Sequence, residues 1–364
     1  MLRSSVLAVL ACSLVALPAS GSNFWERAEA PPAADPDQGS ATPETFDELV
    51  EKGDRYADTS EQYRAMWFQA LQHRQLSERN AFMTKARQAA KQAIRFYDMA
   101  LELHPDDGNL HFRCGHLTYT YLYEYYETNG PVSLRDKAGA HAVAHWDAFE
   151  RISPDDPRRT GFVREGHVSS DRRGWADWAQ DIFEPQTYQF ARSIYYTKRG
   201  GTQAYEKAIE DYDYLLEAAP RNDATARWIA QLLTNSAEIH MAIGNVEEAI
   251  DRYRQGLEYS NEALYMFGLA VALDRAGEKQ SALEQMRDAI DSDPKLEALG
   301  RSGVFFIPKG DVQYYFGLAN EAQGKSTEAL LHFRAYVDQV KDARFEEHAR
   351  EHIDRLAEAK KQRK

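Results

Sequence analysis

One spacing recurs six times along the chain and restricts what it can fold into. Ala282, Met286, Ala289 and Pro294 are separated by 4, 3 and 5 residues. The same intervals return at Ala93, Tyr97, Ala100 and Pro105, at Ala142, Trp146, Phe149 and Pro154, and at Ala208, Tyr212, Leu215 and Pro220. Two further copies lack only the proline: Ala249, Tyr253, Gly256, Asn261 and Ala329, Phe333, Tyr336, Lys341. Steps of four and three put a small residue, a large one and usually another small one on a single helical face. Such a face belongs to a helix pressed close to its neighbours. The proline five residues after the last of these positions stops the helix, because it has no N–H to donate and its ring clashes with the turn before it. Gly244, Gly277 and Gly324 each stand five residues ahead of a copy's first alanine. That placing suits a tight turn between two antiparallel helices.

These units resemble tetratricopeptide repeats, helix–turn–helix modules of about 34 residues. The best copy, residues 263–295, has Met266, Leu269, Ala270 and Leu273 where that family carries Trp, Leu, Gly or Ala, and Tyr. Phe316-Gly317 and Cys114-Gly115 occupy the central Leu-Gly position of their copies, and Leu233, Ala237 and His240 follow the pattern less closely. The resemblance implies an all-α fold over residues 46–364, an α-solenoid superhelix of about six units with a C-terminal capping helix. Residues 46–77 read as one or two helices covering the first exposed face. Residues 343–360, with Phe345, Ala349, Ile353 and Leu356 on one stripe, read as the polar-backed cap that such arrays need. Insertions interrupt the period near 155–185 and near 297–309, and Asn129-Gly130-Pro131 lengthens the turn of the front repeat. Tyr119, Tyr121, Tyr123 and Tyr125 alternate with period two, a strand signal taken alone, but their place in the repeat demands a helix.

The first residues read as an address. Arg3 precedes an uncharged run from Val6 to Leu17, too short to span a bilayer, and Ala19-Ser20-Gly21 fits the small-x-small rule for signal-peptide cleavage. A signal peptide over 1–21 and a Pro-rich flexible linker over 22–45 are the expectation, placing the chain in the periplasm or outside the cell. Val9-Leu10-Ala11-Cys12 loosely resembles a bacterial lipobox, so a lipid anchor at Cys12 stays open beside ordinary cleavage. No transmembrane segment is expected in the mature chain.

Charge excludes some classes. With 44 Lys and Arg against 57 Asp and Glu the chain has a net charge of −13, the wrong sign for sequence-independent binding to phosphate backbones, so no nucleic-acid partner is expected. Neither a phosphate-cradling glycine loop nor a nucleophile elbow is present, and no enzyme and no cofactor are assigned. His141-Ala-Val-Ala-His145 and His348-Ala-Arg-Glu-His352 each place two imidazoles one helical turn apart, half of a metal site. Neither has an adjacent acid or cysteine that completes a motif, so both pairs read as surface or packed histidines and no metal is assigned. Cys114 falls on a core position and reads as an inert thiol.

The function expected from the resemblance is a non-catalytic protein–protein interaction scaffold or adaptor of the bacterial cell envelope, with a protein or peptide partner. The first helix of each pair lines the concave surface in this family. Carried over residue by residue, the groove residues are Phe112, His116 and Tyr119; Thr234, Glu238 and Met241; Phe267, Val271 and Asp274; and Tyr314, Leu318 and Glu321. A docking patch is expected at Arg158, Arg159, Arg164, Arg172, Arg173, Trp175 and Trp178, five arginines and two tryptophans in an acidic chain. Its competing reading is a loop whose arginines pair with the acidic repeats. Three alternatives accompany the scaffold: a metal or small-ligand carrier using His141 and His145, an enzyme sited at the Arg/Trp insertion, and an envelope-assembly lipoprotein anchored at Cys12.

Overall fold

The structure, a computed structural model, describes residues 44–73, 76–156, 158, 188–301, 306–340 and 344–362. The expected signal peptide, nearly all of the linker and most of the 155–185 insertion lie outside the described residues, as do Val304 and Phe305 of the second insertion.

The described residues are helical and contain no strand. They fall into two compact units that meet in sequence at Ala191 and Arg192. In the N-terminal unit α1 (Phe46–Gln72) and α2 (Leu76–Leu103) pair along their length, followed by α3 (Gly108–Leu117), a π-helical stretch Thr118–Tyr123, α4 (Glu124–Asn129) and α5 (Val132–Ile152). The division between the units falls within α6 (Tyr188–Arg199). The C-terminal unit continues with α7 (Thr202–Ala218), α8 (Asp223–Ile243), α9 (Val246–Tyr259), α10 (Ala263–Arg275) and α11 (Lys279–Ser292). Two short 3₁₀ turns, Glu297–Gly300 and Lys309–Asp311, lead to α12 (Val312–Ala322), α13 (Ser326–Gln339) and α14 (Glu346–Gln362). From α7 to α14 each helix packs on the next in sequence.

The repeated face is the core. The small, large and third residues of all six copies are buried, from Ala93, Tyr97 and Ala100 to Ala329, Phe333 and Tyr336. Each copy's helix ends two residues before its proline or the substitute: Leu103 before Pro105, Ile152 before Pro154, Ala218 before Pro220, Tyr259 before Asn261, Ser292 before Pro294 and Gln339 before Lys341. The three turn glycines are left-handed, with φ of 92° at Gly244, 86° at Gly277 and 74° at Gly324. Each closes its helix with the same two bonds: the glycine N–H donates three residues back, and the next N–H donates five back, as in Asn245 to the His240 carbonyl at 2.8 Å.

The period-two tyrosines are helical, and the alternation has a physical source. The π-helical stretch widens the turn at Thr118–Tyr123, so Tyr121, Leu122 and Tyr123 are buried in succession. At the front, Thr45 and Glu48 form a capping box that starts α1. At the back, Ala349 and Leu356 of α14 and Phe345 just before it are buried, with Ile353 packed against the core, as the stripe predicts.

The close approach of helices has a price in tolerance. A Cβ added at Gly317 would stand 2.8 Å from the ring of Phe333, which is fully buried, and one at Gly115 would stand 2.5 Å from the indole of Trp146. Gly317→Ala is expected to destabilise by about 1–3 kcal/mol through overpacking. Gly300→Ala, whose methyl would meet nothing within 4 Å, is expected to stay within about 0.5 kcal/mol of the parent. Urea unfolding of the two variants checks this, and coincident transitions would contradict the packing described.

Candidate functional site

Nine of the twelve expected groove residues are inside the C-terminal unit rather than on a groove. Thr234, Glu238, Met241, Phe267, Val271, Asp274, Tyr314 and Leu318 are all buried, and the Glu321 side chain is 6% exposed. The reason is closure of the inner helices. α10 is buried from Phe267 to Arg275, and the 3₁₀ turn Glu297–Gly300 contacts both α10 and α12. Phe306, from the same insertion, sets its ring edge-on to Tyr315 at 4.9 Å.

The carboxylates among these residues serve one another's helices. Glu238 accepts hydrogen bonds from Tyr253 at 2.7 Å and Tyr315 at 2.9 Å. Burial, with the charge of Asp311 nearby, pushes its carboxyl up to about 7. Asp311 closes the second insertion and meets Arg275 at 2.6 Å, both side chains 1% exposed. Asp274 accepts from Tyr314 at 2.6 Å and from His352 of α14 at 2.9 Å. The other nitrogen of His352 stands 2.7 Å from Glu321, which also accepts from Arg355. So His352, read as a surface or packed histidine, is the packed kind: it ties the capping helix to two inner helices.

The three remaining groove residues are part-buried on the inner helix of the N-terminal unit. Phe112 lies 5.1 Å from the ring of Phe149 and 6.2 Å from that of Tyr188, and stacks on His116. Tyr119 stacks on Tyr123 and tilts against Trp146. Burial, with the charge of Arg64, lowers His116 to about 3, so its ring is neutral. Of the expected docking patch only Arg158 is described; Arg159, Arg164, Arg172, Arg173, Trp175 and Trp178 lie outside the described residues. Arg158 bonds Asp156 at 2.7 Å and Asn109 at 2.6 Å, and its guanidinium sits 4.6 Å from the Phe112 ring centre. Arg158 thus pairs with an acid of its own insertion and reaches α3 through Asn109.

The same unit assembles a cluster that the sequence does not display. His141 and His145 of α5 both face Asp98 of α2, with His141 Nε2 3.5 Å and His145 Nε2 3.3 Å from its carboxylate oxygens. Cys114 Sγ of α3 is 3.8 Å from Asp98 Oδ1. His111, one turn before Cys114, brings its Nδ1 to 2.9 Å from His145 Nδ1. Its own Nε2 donates to the Pro105 carbonyl at 3.0 Å. Thr118, first residue of the π-helical stretch, places Oγ1 3.1 Å from His141 Nδ1. Burial raises the Asp98 carboxyl, but hydrogen bonds from His141 and His145 outweigh it and hold the group at about 2. Burial lowers His145, and burial with the Asp98 charge raises the Cys114 thiol well above its ordinary value. Cys114 is fully buried as expected, but not apart from polar groups.

Residues 234–297 match the family model of the tetratricopeptide repeat, the stretch of α8 to α11 whose turns and buried faces are described above. No curated protein matches the chain. Among solved structures, YrrB, described as a TPR protein with an unusual peptide-binding site, is 14% identical over 70% of this chain and 97% of its own, with a TM-score of 0.35. The human IFIT1 dimer with PPP-AAAA is 12% identical over 78% of this chain and 64% of its own, at a TM-score of 0.29. Yeast Tom70 is 15% identical over 77% and 60%, at 0.27. The chain thus spans under two thirds of IFIT1 and of Tom70. Likenesses of this size say nothing of ligand or partner.

His352 gives the C-terminal unit a pH dependence of definite sign. Burial alone would lower the imidazole, but its bonds to Asp274 and Glu321 raise it to about 9. A folded value above the unfolded one, about 6.5, means the folded chain holds the proton more tightly. The resulting stabilisation is complete below pH 6.5 and is lost as pH rises through 9. The loss is expected to be on the order of 3 kcal/mol. His352→Gln should be less stable at pH 6 and lack the decline between pH 6.5 and 9 in urea unfolding followed at α14; a parent stability flat over that window would refute the assignment.

Proposed function

We propose that the chain is a non-catalytic interaction scaffold of the bacterial cell envelope that holds a segment of a protein partner. The observation that supports it most is the repeat match at 234–297 in a unit whose inner-helix side chains are spent on helix packing. Residues committed in that way build a rigid surface rather than a reaction centre. Fold by itself assigns no partner, so the reading rests on the repeat family's general use as a binding module.

The binding surface is assigned to the inner helix of the N-terminal unit, at Phe112, His116 and Tyr119, the groove residues that remain part-exposed. Two aromatic rings and a neutral imidazole suit an apolar or aromatic anchor of an extended segment. The envelope location is proposed on the sequence: the small-x-small run ending at Gly21 supports export and cleavage, with Cys12 as the alternative mature terminus if the chain is lipidated.

Two measurements test this. The mature N-terminus, read by mass from an envelope fraction, is expected at Ser22; a chain beginning at lipidated Cys12 would turn the reading to an anchored lipoprotein, and an intact Met1 would overturn export. A photo-crosslinker placed at Tyr119 in the native host should capture one recurrent protein, reduced at least tenfold by Phe112→Ala. Capture that Phe112→Ala leaves unchanged would remove this face from the proposal.

A further inference from the structure

We propose that Asp98, Cys114, His141 and His145 form a binding site for a zinc-class divalent transition-metal ion, with His111 and Thr118 orienting the two imidazoles. The inference stands apart from the scaffold reading and neither depends on the other.

Three of the ligand atoms are already gathered, and the fourth, His141 Nε2, faces the second oxygen of the same carboxylate. In a tetrahedral site with bonds of about 2.0 Å to nitrogen and oxygen and about 2.3 Å to sulfur, ligand atoms lie roughly 3.3–3.6 Å apart. Around Asp98 the separations are 3.3 Å to His145 Nε2, 3.5 Å to His141 Nε2 and 3.8 Å to Cys114 Sγ. One ligand atom each from Asp98, Cys114 and His145 lie within 4.8 Å of one another.

The surroundings supply what a metal-bound histidine needs. A ligating imidazole ordinarily donates its second N–H to an acceptor that fixes its tautomer and tilt. His145 has that acceptor in His111 Nδ1, whose own proton is on Nε2 because that atom faces the Pro105 carbonyl. His141 has it in Thr118 Oγ1. His141 and His145 both turn Nε2 toward Asp98 and have a polar group on the Nδ1 side; on ion binding the Nε2 protons that now bond the carboxylate would give way to the cation, with the Nδ1 protons held by these partners. The π-helical widening that starts at Thr118 sets that hydroxyl at its place, and such bulges gather at functional sites.

Ligand type selects the ion. One thiol, two imidazoles and one carboxylate are borderline-soft, suited to Zn²⁺ or Co²⁺ and not to Mg²⁺ or Ca²⁺, which take oxygen. Binding would displace the Cys114 thiol proton to solvent and leave the sulfur as thiolate. The side chains of Asp98 and His141 are 31% and 26% exposed, which gives an ion its way in. Held there, it would join α2, α3 and α5.

The test uses the untagged full chain, stripped with chelator and titrated with ZnCl₂ or CoCl₂. One equivalent is expected to bind, with the near-ultraviolet thiolate charge-transfer band and intense visible bands of tetrahedral cobalt. Cys114→Ser should abolish the charge-transfer band, and Asp98→Asn should weaken binding at least tenfold. Because Cys114 is in the core, Asp98→Asn on the partly exposed face, with circular dichroism matching the parent, separates ligation from folding. His111→Gln is expected to weaken binding roughly tenfold and keep the band, as a positioning residue should. Absence of saturable binding, cobalt spectra without a thiolate band, or an affinity that Asp98→Asn leaves unchanged would each overturn the site.

Discussion

The distance between paired helices is set where a residue without a side chain meets a large one. Gly317 lies under the Phe333 ring, Gly115 under the Trp146 indole, and Gly268 of α10 under the Tyr253 ring of α9. The first two contacts join the helices of a pair and the third joins one pair to the next. Each forfeits a methyl group on one helix to let an aromatic on the other bury completely, and an aromatic buried whole removes some 150–250 Å² from water. Close contact of this kind leaves little room on the inner helices for anything but packing, which is why α10 is enclosed along most of its length.

Enclosure changes what a charged residue can do. Glu238, Asp274, Glu321 and Asp311 sit where water does not reach freely, and an unpaired carboxylate there would cost several kcal/mol. Each has a partner on another helix: tyrosines from α9 and α12, His352 from α14, and Arg275 from α10. The polar residues therefore specify which helices meet. Asp311 shows this best, since the insertion between α11 and α12 lengthens the period and yet returns a carboxylate to Arg275, whose guanidinium also sits 4.7 Å from the Tyr314 ring centre and 4.3 Å from that of Phe345.

What could be read from the residues in order was the part governed by short spacing. The steps of 4, 3 and 5 gave the buried faces and the helix ends, and Gly244, Gly277 and Gly324 gave the left-handed turns, because both depend on one helix at a time. The burial of the expected groove residues in the C-terminal unit was not legible, since the family pattern tells which helix faces inward, not how tightly the neighbours close over it. The Asp98 cluster stayed hidden for a related reason. His141 and His145 are visible as a pair, but their partners come from α2 and α3, at sequence distances that no motif fixes. Cys114 was correctly placed in the core from its repeat position, and that same position obscured its nearness to Asp98.

One register explains where the distinctive polar contacts appear. In four of the six copies the residue just before the large core residue, rotated about 100° from it around the helix, is polar and bonds a side chain on another helix. His145 precedes Trp146 and faces Asp98; Asp211 precedes Tyr212 and pairs with Arg192 at 2.6 Å. Arg252 precedes Tyr253 and pairs with Asp213 at 2.6 Å, and His332 precedes Phe333 and bonds Gln313 at 2.8 Å. The core residue anchors its neighbour's backbone close by, and a polar group one step away then reaches a side chain on the adjoining helix. A repeat can thus keep its packing unchanged while this single edge position takes an acid, a base or an imidazole. In the N-terminal unit the edge holds His145, the preceding turn adds His141, and two other helices supply an acid and a thiol, so a register used for pairing elsewhere becomes a constellation of metal-ligand chemistry.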